Sequence, residues 1–149
     1  MYRTTTLLLI IRRTIKLYDS ILKPVCEKYR LTMIETNIIS FLQNNPGKDT
    51  AADISELRML TKGNVSKAVE SLIQKGLLKR TPDMADRRKV HLSLLPEARP
   101  ITDEIEGKRE IFREELFSGF SRREQEEYAR FNDRILKNIL DFENRGEQI

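Results

Sequence analysis

The sequence predicts a mainly α-helical protein with one small β-hairpin set between amphipathic helices. Three observations carry that reading. Apolar residues recur at the 3-4 spacing of one helix face both before residue 75 and after residue 96. Between them, residues 77–94 change period, with a short strand-like run followed by a strictly alternating one. Finally, 34% of the 149 residues are charged, 7% are aromatic and none is Trp. That balance suits long, solvent-washed helices around a modest core.

The elements follow in order. Residues 7–29 place Leu8, Ile11, Ile15, Tyr18, Leu22 and Val25 or Cys26 on one helical face. Pro24 should kink or end that helix, because it lacks an amide hydrogen. "LTMIETNIISFL" opens a second helix through a T-x-x-E capping box, Thr32 and Glu35, with Ile34, Ile38, Ile39, Phe41 and Leu42 on its buried side. "NNPGKDT" closes it with strong breakers. "AADISELRML" reads as a short helix with Ile54 and Leu57 inward. Thr61 can cap the next, whose stripe is Val65, Val69, Leu72 and Ile73, and Gly76 stands at its stop position. Only Met59 and Leu60 or so separate these two helices, which makes them a helix-turn-helix candidate.

"GLLKRT" and "KVHLSL" then form two strands. In the second, Val90, Leu92 and Leu94 face inward, and Lys89, His91 and Ser93 face outward. His91, the chain's sole histidine, is therefore expected to be exposed, with a phosphate contact as its alternative role. Residues 82–88, "PDMADRR", are left as the hairpin loop, longer than the usual 2–5 residues. From Pro96 the chain is helical again, with an irregular first turn because Pro100 removes a hydrogen bond. Ile101, Ile105, Phe112 and Leu116 share one face. Ser121 and Glu124 cap a last helix striped by Tyr128, Phe131, Ile135, Ile139 and Phe142. Apolar stripes this long at both ends of the chain point to a two-fold homodimer built from the termini.

Charge is unevenly placed. The chain carries +4 overall, yet residues 61–91 hold eight Lys or Arg against three Asp or Glu, and residues 92–149 hold ten against fourteen. A basic centre of that kind fits a polyanionic partner. On helix 61–75 the face opposite Val69 carries Gly63, Asn64, Lys67, Glu70, Ser71 and Gln74. In a helix-turn-helix the second helix enters the major groove, and its first residues meet base edges. Asn64 suits adenine, Ser66 an acceptor or a phosphate, and Lys67 guanine or phosphate. Thr61 and Lys62 sit at the helix start, Lys62 placed for a phosphate. Gly63 costs helix stability but allows close backbone approach.

Catalytic readings find little support. One His and one Cys make no two-His metal site within the chain. No phosphate-binding glycine loop or nucleophile elbow is present. Carboxylate pairs such as Glu126-Glu127 lie on charged helices, where Glu126 can pair with Arg130 and Glu127 with Arg123. No catalytic residue, metal or cofactor is expected. Cys26 cannot form an intrachain disulfide. Its apolar setting favours burial over a redox-sensing role, although Lys23 and Lys28 are near in sequence. The apolar run Leu7–Ile11 is too short for a signal peptide or a membrane span. A soluble cytoplasmic protein is expected, with no membrane partner.

The element order, together with "LTKGNVSKAVESLIQKGLLKR" and "DRRKVHLSL", resembles the multiple-antibiotic-resistance regulator (MarR) family from about residue 8 to 145. Asp86-Arg87-Arg88 followed by Leu92-x-Leu94 is similar to the family's D-x-R wing signature and strand. Gly76-Leu77 and Arg80 fit the end of the recognition helix and the first wing strand. Leu95-Pro96, Ala98 and Pro100 depart from the family pattern at the link into the last helices. The resemblance implies a winged helix-turn-helix spanning 31–95, flanked by helical dimerisation regions at 1–30 and 96–149. It implies a cytoplasmic homodimer that binds a pseudo-palindromic operator in double-stranded DNA and represses transcription, released by a small-molecule effector. The DNA contacts expected are Thr61, Lys62, Asn64, Ser66, Lys67, Ser71, Arg87, Arg88 and Lys89, with Asp86 bracing the wing. The peroxide-sensing branch carries its reactive cysteine well inside the first helix, whereas Cys26 lies at the far end. The alternative is a winged-helix module that binds an acidic protein surface.

Overall fold

The computed structural model describes residues 1–146. Residues 147–149, the end of the expected C-terminal dimerisation region, lie outside the described residues. The elements run α1 (Arg3–Tyr29), α2 (Met33–Asn44), α3 (Ala51–Leu57), α4 (Lys62–Gln74), β1 (Leu78–Pro82), β2 (Val90–Leu94), a 3-10 turn (Pro96–Ala98), α5 (Arg99–Leu116) and α6 (Arg122–Asn144). Six helices and one hairpin match the fold class expected. The chain divides into two compact units, Met1–Phe112 and Arg113–Ile149.

In the first unit the apolar stripes of the helices meet in one core. Leu22 and Val25 of α1, Ile38 and Ile39 of α2, Ile54 of α3, Val65 and Leu72 of α4, Leu78 of β1 and Ile105 of α5 are all nearly or fully buried within it. Both expected capping boxes are made, Thr32 with Glu35 in the first unit and Ser121 with Glu124 in the second. A further one, Thr50 with Asp53, starts α3. Each satisfies two backbone amides that would otherwise lack partners. At the end of α4, Gly76 adopts φ +74°. The Gly76 and Leu77 amides donate to the carbonyls of Ile73 and Leu72, both at 3.0 Å. This paired closure needs a left-handed residue, which glycine supplies without steric cost. It turns the chain from helix into β1.

The hairpin is antiparallel, with Leu78 opposite Leu94 and Pro82 opposite Val90. Pairing therefore reaches Pro82, and the loop proper is 83–89. The irregular turn expected after Pro96 is the 3-10 segment, with Pro100 in the first turn of α5.

Several expectations need correction. Pro24 does not end α1, which runs on to Tyr29. The next residues, Val25 and Cys26, are buried with Leu22, and that packing holds the turn despite the missing amide. Leu57 is 54% exposed rather than inward, because it is the last residue of a short helix already anchored by Ile54. Val90, at the loop end of the hairpin, is 38% exposed. Glu126 pairs with Arg122, at 3.2 Å, and not with Arg130, whose guanidinium lies over the Phe131 ring. Glu127 pairs with Arg123 as expected.

The second unit's α6 has no buried residue, and Tyr128, Phe131, Ile135 and Ile139 are 40–48% exposed. In the first unit, Leu7 to Ile11 and Ile15 of α1 are likewise exposed.

Candidate nucleic-acid interface

The first two turns of α4 gather small polar and basic side chains on one face. Thr61 stands just outside the helix, and its Oγ1 accepts the Asn64 amide at 3.2 Å. Lys62, Gly63, Asn64, Ser66 and Lys67 are exposed, whereas the interleaved Val65, Ala68 and Val69 are buried. The buried set anchors the helix and leaves the donors free of the core. No protein atom lies within 4 Å of where a Cβ on Gly63 would stand.

Ser71 departs from this face. It is half-buried, and its hydroxyl donates to Glu35 Oε2 at 3.0 Å. Glu35 is itself 2% exposed. Its Oε2 lies 2.9 Å from Lys75 Nζ, and its Oε1 accepts the Thr32 amide at 3.0 Å. Lys75 also donates to the Arg30 carbonyl. Burial raises the Glu35 pKa. The hydrogen bonds from Thr32, Lys75 and Ser71 and the Lys75 charge outweigh it and hold the carboxyl below its ordinary value. One carboxylate thus ties the start of α2 and the end of α1 to the last turn of α4. Arg80 of β1 pairs with Glu70 of α4 at 3.0 Å, which places the hairpin against the same helix.

The hairpin loop is built on two aspartates. Asp83 Oδ2 accepts the amides of Ala85 and Asp86, at 2.9 and 2.8 Å. Asp86 Oδ1 accepts the Arg88 amide at 2.9 Å and lies 3.4 Å from Arg88 Nε. These short-range bonds shape the loop without burying its cations. Arg87, Arg88 and Lys89 are all exposed, and the Arg88 side chain is 92% accessible.

His91 is not the free surface residue expected. It is half-buried, with Nδ1 2.7 Å from Asp49 Oδ1 and Nε2 2.6 Å from Asp83 Oδ1. Hydrogen bonds to Asp49 and Asp83 raise its pKa above the ordinary histidine value. The His91 hydrogen bond and the Asp86 and Ala85 amides bring Asp83 down to about 2. Asp49 also accepts the Leu92 amide on its backbone carbonyl at 2.8 Å. Sequence reasoning missed Asp49 and Asp83, and read in Glu35 only its capping role, not its bonds to Ser71 and Lys75. Asp49 lies 42 residues from His91, and no local spacing rule connects them.

Cys26 is buried, its sulfur 3.2 Å from Thr36 Oγ1. Among the described residues no cluster of His, Cys, Asp or Glu is placed to hold a metal, and no helix is long and apolar enough to cross a membrane.

The polar face of α4, the cap at Thr61 and the aspartate-braced loop all fall within residues 31–89, which match the model of the MarR family. This segment is similar to the MarR family. MarR-family proteins are transcriptional regulators, not enzymes. A curated relative, the uncharacterised HTH-type transcriptional regulator YsmB of Bacillus subtilis, is 30% identical over 91 residues. That match spans 61% of this chain and 60% of YsmB. A MarR-family regulator from Silicibacter pomeroyi has a similar fold, with a TM-score of 0.77, 19% identity and 87% of each chain covered. Bordetella bronchiseptica BpsR, whose DNA binding is regulated by 6-hydroxynicotinic acid, aligns with a TM-score of 0.66 and 21% identity over 91% of this chain and 96% of its own.

Proposed function

We propose that this chain is a dimeric, sequence-specific DNA-binding transcriptional regulator of the MarR family that represses its target genes in the cytoplasm. The observation that carries the reading is the split within α4. Lys62, Asn64, Ser66 and Lys67 are exposed while Val65, Ala68 and Val69 are locked in the core. A rigid helix with adaptable donors at its N-terminal end is what major-groove readout requires. Lys62 and Thr61 would meet phosphates, and Asn64, Ser66 and Lys67 base edges. Ser71 is engaged with Glu35, so its role is to hold the helix. Arg87 and Arg88 would enter the neighbouring minor groove, where narrow A·T tracts attract Arg, and Lys89 would hold a phosphate. Asp86 would keep the wing in the shape that presents them.

The exposed apolar faces of α1 and α6 supply surface for a second copy, with residues 1–30 and 96–149 as the dimerisation region. Two copies would place two α4 helices about 34 Å apart on a pseudo-palindromic operator. A small-molecule effector fits the same reading. A groove of about 430 Å³ between α1 and the start of α2 is lined by Arg12, Lys16 and Lys23, with Ile15 and Met33 apolar, Ser20 polar and Asp19 the one acid. Its cations and apolar floor suit a small carboxylate, the class of ligand that acts on BpsR.

Selection of genomic fragments with the purified protein, followed by gel shifts at several salt concentrations, tests the reading. Specific, salt-sensitive retardation is expected. Its absence, with capture of acidic protein partners, would support the protein-binding alternative.

A further inference from the structure

The two short contacts of His91 fix its charge by geometry. A neutral imidazole has one N–H and one bare lone pair. Here both ring nitrogens face aspartate oxygens, at 2.7 and 2.6 Å. Both contacts are hydrogen bonds only when both nitrogens carry a proton. The two aspartates belong to different parts of the fold. Asp49 lies in the link between α2 and α3. Asp83 opens the hairpin loop, and its other oxygen holds the Ala85 and Asp86 amides on which the loop is built. Beside them, Leu92 of β2 donates its amide to the Asp49 carbonyl.

Across the sheet His91 meets neutral Thr81, with Lys79 two positions back on the same face. α3, which packs on β2, carries Asp53, whose carboxylate is engaged by the Thr50 amide, and Glu56, while Lys48 adjoins Asp49 in the link and Lys89 stands two residues before His91. The sole charged residue of α2, Glu35, is paired with Lys75.

We propose that His91 is a positioning residue for the wing: protonated, it clamps Asp83 of the hairpin loop to Asp49 of the α2–α3 link, and loss of that proton frees the wing and weakens DNA binding. The inference rests on the wing's proposed part in DNA binding. Deprotonation turns one of the two contacts into a lone pair facing a carboxylate. It also changes the charge of the cluster from −1 to −2 beside a surface that would face phosphates. Both effects act against the complex. The two aspartates raise the His91 pKa above its ordinary value of 6.5, so the clamp is closed below that pH and opens as the pH rises through the raised value.

His91 is the chain's one histidine, so histidine ring signals in an NMR titration of the intact protein report it alone. The ring is expected to titrate above 6.5, and Asp49→Asn to lower that value. Operator affinity, measured on the duplex recovered by fragment selection, is expected to fall at least threefold between pH 6.5 and 9. Above the ring's pKa its slope should reach at most ~10-fold per pH unit for each protomer's His91. His91→Gln should bind more weakly than wild type at pH 6.5 and lose the excess pH dependence. A ring that titrates at or below 6.5, or identical pH profiles for wild type and His91→Gln, overturns the clamp. An absence of operator binding at every pH overturns the regulator reading and this proposal together. Binding without the pH difference overturns the clamp alone.

Discussion

Asn64 and Arg88 are both exposed polar residues, yet their surroundings give them different work. Asn64 is carried on a helix whose flanking residue Val65 is fully buried, so its backbone is held in one place. Asn64→Ala should therefore lower discrimination between bases, by about 1–3 kcal/mol at one operator position. Competition titrations with single-base operator variants measure that. Arg88 sits on the exposed hairpin loop, where its own amide and Nε meet Asp86 and its guanidinium stays accessible. Arg88→Ala should weaken binding to operator and scrambled duplexes alike and reduce the salt slope by about one; unchanged affinity would remove it from the interface. Gly63 separates stability from function more sharply. Nothing in the protein opposes a methyl group there, so Gly63→Ala should stabilise the chain by about 0.5–1 kcal/mol in denaturant titrations while lowering operator affinity. The Asp86–Arg88 brace was legible in the sequence, because its partners are two residues apart and the loop does the rest. The bracketing of His91 was not, since strand alternation says only which way a side chain leaves the sheet. It does not say that a loop 42 residues upstream rises to meet it.

At the scale of elements, local chemistry explains most of what the sequence showed. Each cap at Thr32, Thr61 and Ser121 is made by side chain and amide within three residues, and such short-range bonds survive any tertiary arrangement. Leu57 failed as a guide for the opposite reason, and of the two outcomes expected at Pro24 the helix end did not occur. Whether a periodic apolar residue is covered, and whether a proline is tolerated, depends on packing partners far along the chain. Ser71 likewise shares its helical angle with the reading face, but Glu35 draws it inward. Glu35 is the strongest link of that kind, joining α2 to α4 through Ser71 and Lys75. Glu35→Ala should destabilise the fold by about 1–3 kcal/mol, because it removes two charge-assisted bonds and leaves Lys75 with fewer partners. Glu35→Gln, which retains an acceptor, should cost less. Chemical denaturation curves decide both. Because the folded carboxyl titrates below its ordinary value of 4.5, its stabilisation is complete above that pH and is lost as the pH falls through the folded value.

For the whole molecule, the apolar stripes of α1 and α6 were read from the sequence as surface for a second chain; in the single chain Leu8, Ile11 and Ile15 of α1 and Tyr128, Phe131, Ile135 and Ile139 of α6 are open to solvent, while Leu22 and Val25 of α1 are in the core. Ile135→Glu, on the exposed face of α6, should yield a helical monomer by sedimentation velocity and circular dichroism. That monomer should lose most of its operator affinity, because one α4 would be left to bind alone. A wild-type chain that sediments as a monomer at micromolar concentration would overturn the dimer. The same open faces carry a consequence in mass action. When the DNA-reading species forms from two chains, its amount grows with the square of chain concentration while chains are scarce. Operator occupancy should then rise steeply over a narrow range of protein level, and the thermal midpoint should climb as the protein is concentrated. The number of copies in a cell would set whether the operator is closed before any effector arrives.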